Sequence, residues 1–264
     1  MKYNIIHFVN GERVIYKTNV SQDEVNSIAA DIKCLREWMN EIDYCSMVRG
    51  NILDFLQDTE RNGPGLTDNF VRLNRFMMNW LCTFYAWIEY HERHHKEIFS
   101  TLKKKYYDTY FEYRFAYTLR KLTTHQALCI NKIEFDSLKE LTTFQIEIEN
   151  ILLYRNDLKR DIRNELEKMM ETTTYIDAVD FTCRFIFVFE QMQGELWKSL
   201  QRSYTAKVGS ILKLTQDNLM LIVESYICDQ EDEFIMPVGS TVNRFFKKAK
   251  KILIPEELLS YIKR

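Results

Sequence analysis

Residues 69–95 read NFVRLNRFMMNWLCTFYAWIEYHERHH, and this stretch decides the fold class. Its middle is apolar on nearly every side, which is typical of a helix at the centre of a bundle. No proline occurs from Gly65 to Met236, and proline disrupts the hydrogen bonding inside helices. We therefore predict an all-α protein, a helical bundle with long central helices.

The neighbouring helices are predicted from caps and periodicity. Ser21, with Glu24 three residues later, forms a capping-box pattern, and apolar residues then recur at helical spacing as far as Met39. A loop is expected from Asp58 to Gly65, and Thr67 then caps the central helix. Further helices are expected at residues 43–57, 98–123, 137–171, 175–202 and 212–228.

The N-terminal residues alternate between apolar and polar side chains on both sides of Asn10-Gly11. An Asn-Gly pair suits the two turn positions that need positive φ angles, and it is the strongest short signal for a β-hairpin. We predict a small hairpin within residues 1–20, followed by a single helical domain at residues 21–264. A short extended piece is also expected at residues 129–135.

The composition indicates no global preference for a polyanion or a membrane. The formal net charge is −2, so a surface that binds nucleic acid would have to be local. The longest uncharged run, residues 76–88, is too short to span a bilayer, and the N-terminus lacks a signal-peptide pattern. The six cysteines are widely separated, as in proteins whose thiols stay reduced. We therefore expect a cytoplasmic protein.

Arg120 and His125 are the candidate catalytic pair. A guanidinium can hold a phosphate with two parallel N–H donors, and an imidazole can move a proton to or from the 2′-hydroxyl of RNA near neutral pH. Internal attack by that hydroxyl needs no metal. On a continuous helix the two side chains stand about 140° apart. They converge more easily if the helix loosens at Thr123-Thr124, where two β-branched residues weaken helix.

Residues 113–125, YRFAYTLRKLTTH, resemble a pattern of the HEPN superfamily (higher eukaryotes and prokaryotes nucleotide-binding). That pattern runs aromatic–Arg–aromatic, then Leu-Arg-Asn, then His. Residues 74–92, NRFMMNWLCTFYAWIEYHE, are similar to the preceding helix of these proteins. The resemblance implies a homodimeric helical bundle with two Arg-His pairs in one composite cleft. It also implies RNA cleavage without a metal or cofactor, often in toxin–antitoxin or anti-phage defence systems, and a possible antitoxin or sensor partner.

The resemblance assigns phosphate binding to Arg120 and catalysis to His125. Lys121 occupies the position that is commonly Asn in the family; a lysine can hold a phosphate but cannot accept a hydrogen bond as Asn does. Arg114 lies about 120° around the helix from Arg120 and could support the cleft or form a structural ion pair. Lys121 and Arg114 are therefore candidate RNA-binding residues. Lysines at 103–105 and 247–251 could contact phosphates or form ordinary solvated surface.

A zinc hydrolase is an alternative, because residues 91–95 formally match the motif H-E-x-x-H. His91 and His95 share a helix face and could bind zinc, with Glu92 polarising a water. Arg93 places a positive charge inside the motif, and histidines are favoured at a helix C-terminus without any metal. The remaining alternative is a non-catalytic helical interaction protein, in which the Arg-His pair consists of ordinary surface or capping residues.

Overall fold

The computed structural model describes residues 3–9, 12–61, 67–125, 128–136, 138, 141–207, 225–228, 234–237, 244 and 248. Most of these residues are helical, which confirms the predicted fold class. The helices are α1 (Gln22–Arg61), α2 (Thr67–His94), α3 (Lys96–Thr109), α4 (Phe111–His125), α5 (Ile148–Leu152), α6 (Arg160–Met169) and α7 (Ala178–Lys207). The strands are β1 (Tyr3–Val9), β2 (Glu12–Val20), β3 (Lys132–Asp136), β4 (Leu141–Glu147), β5 (Tyr175–Asp177), β6 (Ser225–Cys228) and β7 (Phe234–Pro237).

The predicted long helix is confirmed as α2, which begins at Thr67 and ends at His94. Its buried side chains lie on one broad face about 140° wide, and its other sides are half-buried or exposed, so the prediction of apolar surroundings on nearly every side is wrong. The buried side chains include Trp80, Leu81, Phe84, Trp87 and Ile88. Within the described ranges, none of the helices combines the length and the apolar composition needed to cross a bilayer.

Helix α1 begins as predicted but runs further. The Ser21 backbone N–H donates to a Glu24 carboxylate oxygen at 3.0 Å, and the Glu24 N–H donates to the Ser21 hydroxyl at 3.2 Å, which completes the capping box. The predicted separate helix at 43–57 is wrong, because α1 continues without a break to Arg61. The apolar spacing also continues, so nothing in the sequence stops the helix before the predicted loop. That loop is wrong for residues 58–61, which are helical, and residues 62–65 lie outside the described residues.

The predicted helix at 98–123 is two helices, α3 and α4, separated at Tyr110. Tyr110 has an extended backbone (φ −112°, ψ 120°). Its ring stacks on Tyr106 at 5.2 Å between centroids, and its hydroxyl donates to Gln191 at 3.0 Å. Asp108 and Thr109 are weak helix formers, so these tertiary contacts can outweigh the cost of the break. The prediction of one uninterrupted helix is therefore wrong.

The predicted single helix at 137–171 is wrong for residues 141–147, and only parts of its later half are helical, as α5 and α6. Residues 141–147 form β4, which pairs antiparallel with β3 on one side and with β5 on the other. Thr142, Thr143 and Phe144 favour extended backbone, and pairing with two strands satisfies their backbone groups. The extended piece predicted at 129–135 is confirmed as β3, which begins at Lys132. The helix predicted at 175–202 is confirmed as α7, although it begins only at Ala178, after β5.

The predicted N-terminal hairpin is present as β1 and β2, which pair antiparallel. Its Asn10-Gly11 turn lies outside the described residues. β1 also pairs with β6, and β6 with β7, so that the strand order is β2-β1-β6-β7. The predicted helix at 212–228 is consequently wrong at Ser225–Cys228, and its other residues lie outside the described part. The pairing with β6 covers the edge that an isolated hairpin would leave open.

The chain divides into two compact units, Met1–Asp43 with Trp197–Leu253, and Tyr44–Leu196 with Ile254–Arg264. In the first unit, the Trp38 ring stacks on Tyr204 at 5.0 Å between centroids, and the Tyr204 hydroxyl donates to the Glu41 carboxylate. In the second unit, the Phe84 ring meets the Phe185 ring edge-on at 4.8 Å. The predicted division into residues 1–20 and 21–264 stays a prediction.

Candidate functional site

Helix α4 carries all the residues predicted to act on RNA, and it is anchored by one apolar face. Phe115, Ala116, Leu119 and Leu122 are buried on that face. Their spacing of three and four residues is the spacing of one side of a helix. Arg114, Arg120 and Lys121 therefore project from the flanks of an anchored helix, and their surroundings differ.

Arg120 lies against an aromatic ring of α2. Its guanidinium carbon is 3.7 Å from the centroid of the Tyr85 ring, within the range of a cation–π contact. The Tyr85 ring in turn lies 5.5 Å from that of Tyr117 on α4. Burial and the neighbouring Tyr117 raise the pKa of the Tyr85 hydroxyl, so the ring beneath the arginine stays neutral at physiological pH. Arg120 itself is half-buried.

Arg114 forms a structural ion pair. One terminal nitrogen, Nη2, lies 2.7 Å from a Glu165 carboxylate oxygen, and Nη1 donates to the Tyr107 carbonyl oxygen at 2.7 Å. Only 12% of the Arg114 side chain is exposed. Of the two roles open to Arg114 from sequence, this geometry favours the structural one, because both terminal nitrogens already contact the protein.

Lys121 is the most exposed of these cations, with 54% of its side chain accessible. Its Nζ donates to the Asp157 carbonyl oxygen at 3.2 Å and lies 3.9 Å from the Asp157 carboxylate. Exposed contacts of this kind contribute little to stability, so a polyanion could displace them at small cost.

Helix α4 does not loosen at Thr123-Thr124, the condition under which Arg120 and His125 would converge more easily, but continues to His125. The Thr123 hydroxyl lies 2.9 Å from the Leu119 carbonyl oxygen and 3.1 Å from that of Arg120, and it donates back to the preceding turn. This bonding lets a β-branched residue stay helical. Helical geometry therefore keeps the Cα–Cβ directions of Arg120 and His125 about 140° apart. The side chain of His125 lies outside what the structure describes.

A shallow cleft borders the C-terminal half of α4. It is lined by Leu119, Leu122 and Thr123 of α4 and by Ile151 and Tyr154 from the region of α5. The space inside it measures only about 20 Å³, far below the ~300–1,000 Å³ of common ligand sites. The cleft is not lined by Arg120 or Lys121, and it is too small to enclose a nucleotide.

The lysines at 103–105 are partly engaged in ion pairs. Lys103 pairs with Glu92, and Lys105 lies 2.7 Å from Glu195. Lys248 of the second predicted cluster pairs with Asp43, while the other lysines of that cluster lie outside the described residues. These contacts fit the solvated-surface interpretation better than a dedicated phosphate track.

The motif H-E-x-x-H spans the junction of α2 and α3. His91 is fully buried against the rings of Trp87 and Phe99, at 4.8 and 5.4 Å between centroids. Burial, followed by His95 and His94, lowers the pKa of His91 to about 3, so its imidazole is neutral at physiological pH.

His95 is half-buried, its backbone N–H donates to the His91 carbonyl oxygen at 2.8 Å, and the two rings lie 5.6 Å apart. The carboxylate of Glu92, the residue predicted to polarise a water, is paired with Lys103. The structure thus brings the two motif histidines together and gives the motif glutamate another partner.

Sequence reasoning missed Tyr85, Glu165 and Asp157, which contact the three candidate cations of α4. Each lies at least 35 residues from its partner along the chain. Local periodicity cannot identify such contacts, because they depend on which helices pack together.

No protein-family model, no curated protein and no solved structure matches this chain.

Proposed function

We propose that this protein is a metal-independent endoribonuclease of the HEPN type, acting as a homodimer in the cytoplasm, as a toxin or an anti-phage defence effector. The observation that carries the proposal is the arrangement of Arg120 on the anchored helix α4. The guanidinium carbon lies 3.7 Å from the centroid of the Tyr85 ring, and this cation–π contact restrains the position of the guanidinium. A preorganised guanidinium is suited to bind the charge that develops on a scissile phosphate.

The proposed reaction needs groups of the protein, the RNA and water, and no metal. The 2′-oxygen forms a bond to the adjacent phosphorus while the bond from phosphorus to the 5′-oxygen breaks. His125 transfers one proton, taking that of the 2′-hydroxyl or supplying one to the leaving 5′-oxygen, and water transfers the other. Arg120 holds the non-bridging oxygens. The products are a 2′,3′-cyclic phosphate and a 5′-hydroxyl end.

The continuous helix determines how the pair would act. Because Arg120 and His125 diverge by about 140° on one α4, we propose that the arginine of one protomer and the histidine of its partner act on the same phosphate. A two-fold axis beside α4 would create two such sites. It would also provide a larger binding surface beside α4 than the small cleft of one chain.

A non-catalytic interaction protein is the second candidate. It is favoured by a specific observation, namely that Arg114 and Lys121 both contact oxygens of the chain itself. In that case Arg120 would stabilise the packing of α4 on Tyr85 and contribute nothing to chemistry.

RNA cleavage in EDTA separates the two candidates. The purified protein is incubated with a mixed RNA pool and excess EDTA, alongside Arg120→Ala and His125→Ala. We expect the wild type to produce cyclic-phosphate ends and each variant to lose at least about 100-fold in rate, the scale of a lost general acid–base or phosphate-binding group.

His94→Ala is the matched control, because it removes an exposed histidine outside the pair. It is expected to keep the cleavage activity. If the wild type leaves every RNA intact, or if both catalytic variants cleave as well as it does, the interaction protein is the better conclusion.

A further inference from the structure

The histidines at the junction of α2 and α3 take no part in the proposed RNA chemistry, and their surroundings need an explanation. Neither ring nitrogen of His91 has a hydrogen-bond partner within the described part of the chain. A neutral imidazole carries one N–H donor and one acceptor. Leaving such groups buried and unsatisfied is unfavourable. A ligand that binds the lone pair of the unprotonated ring nitrogen would satisfy one of these groups.

His95 is placed to share that ligand. One ring nitrogen of His91 and one of His95 lie within 4.8 Å of each other. Two nitrogens that bind one tetrahedral zinc ion lie about 3.3 Å apart, given Zn–N bonds of about 2.0–2.1 Å. Binding of one ion by both nitrogens would require the half-buried His95 ring to adjust its orientation. His95 also connects the pair to solvent, which provides a path for an ion.

We propose that His91 and His95 bind a divalent late transition-metal ion of the Zn²⁺ type, which ties the last turn of α2 to the start of α3. Imidazole nitrogen is a preferred ligand for Zn²⁺, Ni²⁺ and Cu²⁺. Water or other donors complete the coordination. The proposal is independent of the proposed ribonuclease, which needs no metal.

The charge of Arg93, which counted against a metal in the sequence, does not oppose this site. Arg93 follows His91 by two residues, so it projects about 200° around the helix from it, and it is exposed. Glu92 is paired with Lys103 and serves the metal site neither as ligand nor as base. The geometry therefore points to a structural metal rather than to the hydrolase that the motif suggests.

Direct titration of the untagged, full-length protein with Zn²⁺ alone tests the site. Calorimetry should give one Zn²⁺ per chain, and Co²⁺ in its place should produce the visible absorption bands of a nitrogen-bound ion. His95→Ala should weaken binding by more than about 100-fold, since it removes a direct ligand, whereas even second-shell losses reach ~10–100-fold. The midpoint temperature of thermal unfolding should rise when Zn²⁺ is added to the wild type, and it should not rise in His95→Ala.

His94→Ala is the matched control, because His94 is an exposed histidine next to His95. It should bind Zn²⁺ as tightly as the wild type. Absence of stoichiometric binding by the wild type, unchanged binding by His95→Ala, or loss of binding in His94→Ala would each overturn the proposal. Cleavage of RNA in EDTA is unaffected by any of these results, so the two proposals fail separately.

Discussion

At the scale of residues, the contact of Tyr85 with Arg120 gives an ordinary aromatic residue a specific role. From sequence it is one aromatic residue among many in an apolar helix, whereas in the structure it supports the guanidinium of Arg120 at 3.7 Å. An aromatic face attracts a cation because of its negative quadrupole. The contact can therefore be measured as a coupling energy, whether or not the protein cleaves RNA.

A double-mutant cycle on Tyr85 and Arg120 tests this contact. Tyr85→Leu, Arg120→Met and the double variant are unfolded with urea, and the free energy of unfolding is compared. We expect a coupling of about 0.5–2 kcal/mol, the range of cation–π contacts at partly desolvated sites.

Tyr85→Phe is the control for that cycle, since it keeps the ring and removes only the hydroxyl. The contact between the ring and Arg120 should persist in this variant, so Tyr85→Phe combined with Arg120→Met should give a coupling energy close to zero. If the cycle of Tyr85→Leu and Arg120→Met gives a coupling energy indistinguishable from zero, the contact with the ring does not stabilise the position of the guanidinium.

At the scale of elements, Arg49 and Glu190 connect α1 to α7 within the second unit. Arg49 donates to both Glu190 carboxylate oxygens, at 2.7 and 2.6 Å, and the two side chains are only 5% and 8% exposed. Burial lowers the pKa of Arg49, but the hydrogen bonds and charge of Glu190 outweigh it and raise the pKa overall. Each charge is therefore tolerated inside the protein only because of the other.

Arg49→Met should destabilise the protein strongly, because it leaves the Glu190 carboxylate buried without its counter-ion. We expect a loss of about 3–5 kcal/mol in the free energy of unfolding, measured with urea at pH 7. The double variant Arg49→Met/Glu190→Leu should recover most of that loss, since apolar side chains can replace a buried pair at little cost.

The Arg184–Asp180 pair, which lies on α7 like Glu190, provides the control. Its nitrogen–oxygen distance of 2.9 Å is similar, but the two side chains are 66% and 60% exposed. Arg184→Ala should cost less than about 1 kcal/mol. An equal cost for the buried and the exposed pair would contradict the role assigned to burial.

At the scale of the whole molecule, the proposed ribonuclease needs a second copy of the chain. We expect sedimentation equilibrium of the untagged protein at micromolar concentration to give twice the chain mass of 31.8 kDa. Arg120→Ala and His125→Ala, mixed in equal amounts and allowed to exchange subunits, should regain part of the activity, because one of the two composite sites then contains both native residues. A monomeric wild type that still cleaves RNA would exclude the composite site and leave a single-chain site to be sought.

The sequence by itself determined the features that depend on neighbouring residues. The capping box of Ser21 and Glu24, the long helix α2 and the hairpin strands were predictable because the responsible contacts lie within a few residues or repeat with one period. The sequence alone also determined the residue types and the spacing of two candidate pairs, Arg120 with His125 and His91 with His95.

Only the tertiary structure decided the features that depend on partners far along the chain. Residues 141–147 are a strand because β3 and β5 pair with them, and α3 ends where Tyr110 contacts Gln191. The roles of the candidate residues were decided in the same way: Arg120 lies on Tyr85, while His91 is buried without a partner for either ring nitrogen in the described part of the chain. Local preferences differ by about 1 kcal/mol or less per residue, so packing and burial, which contribute several kcal/mol, determine the outcome.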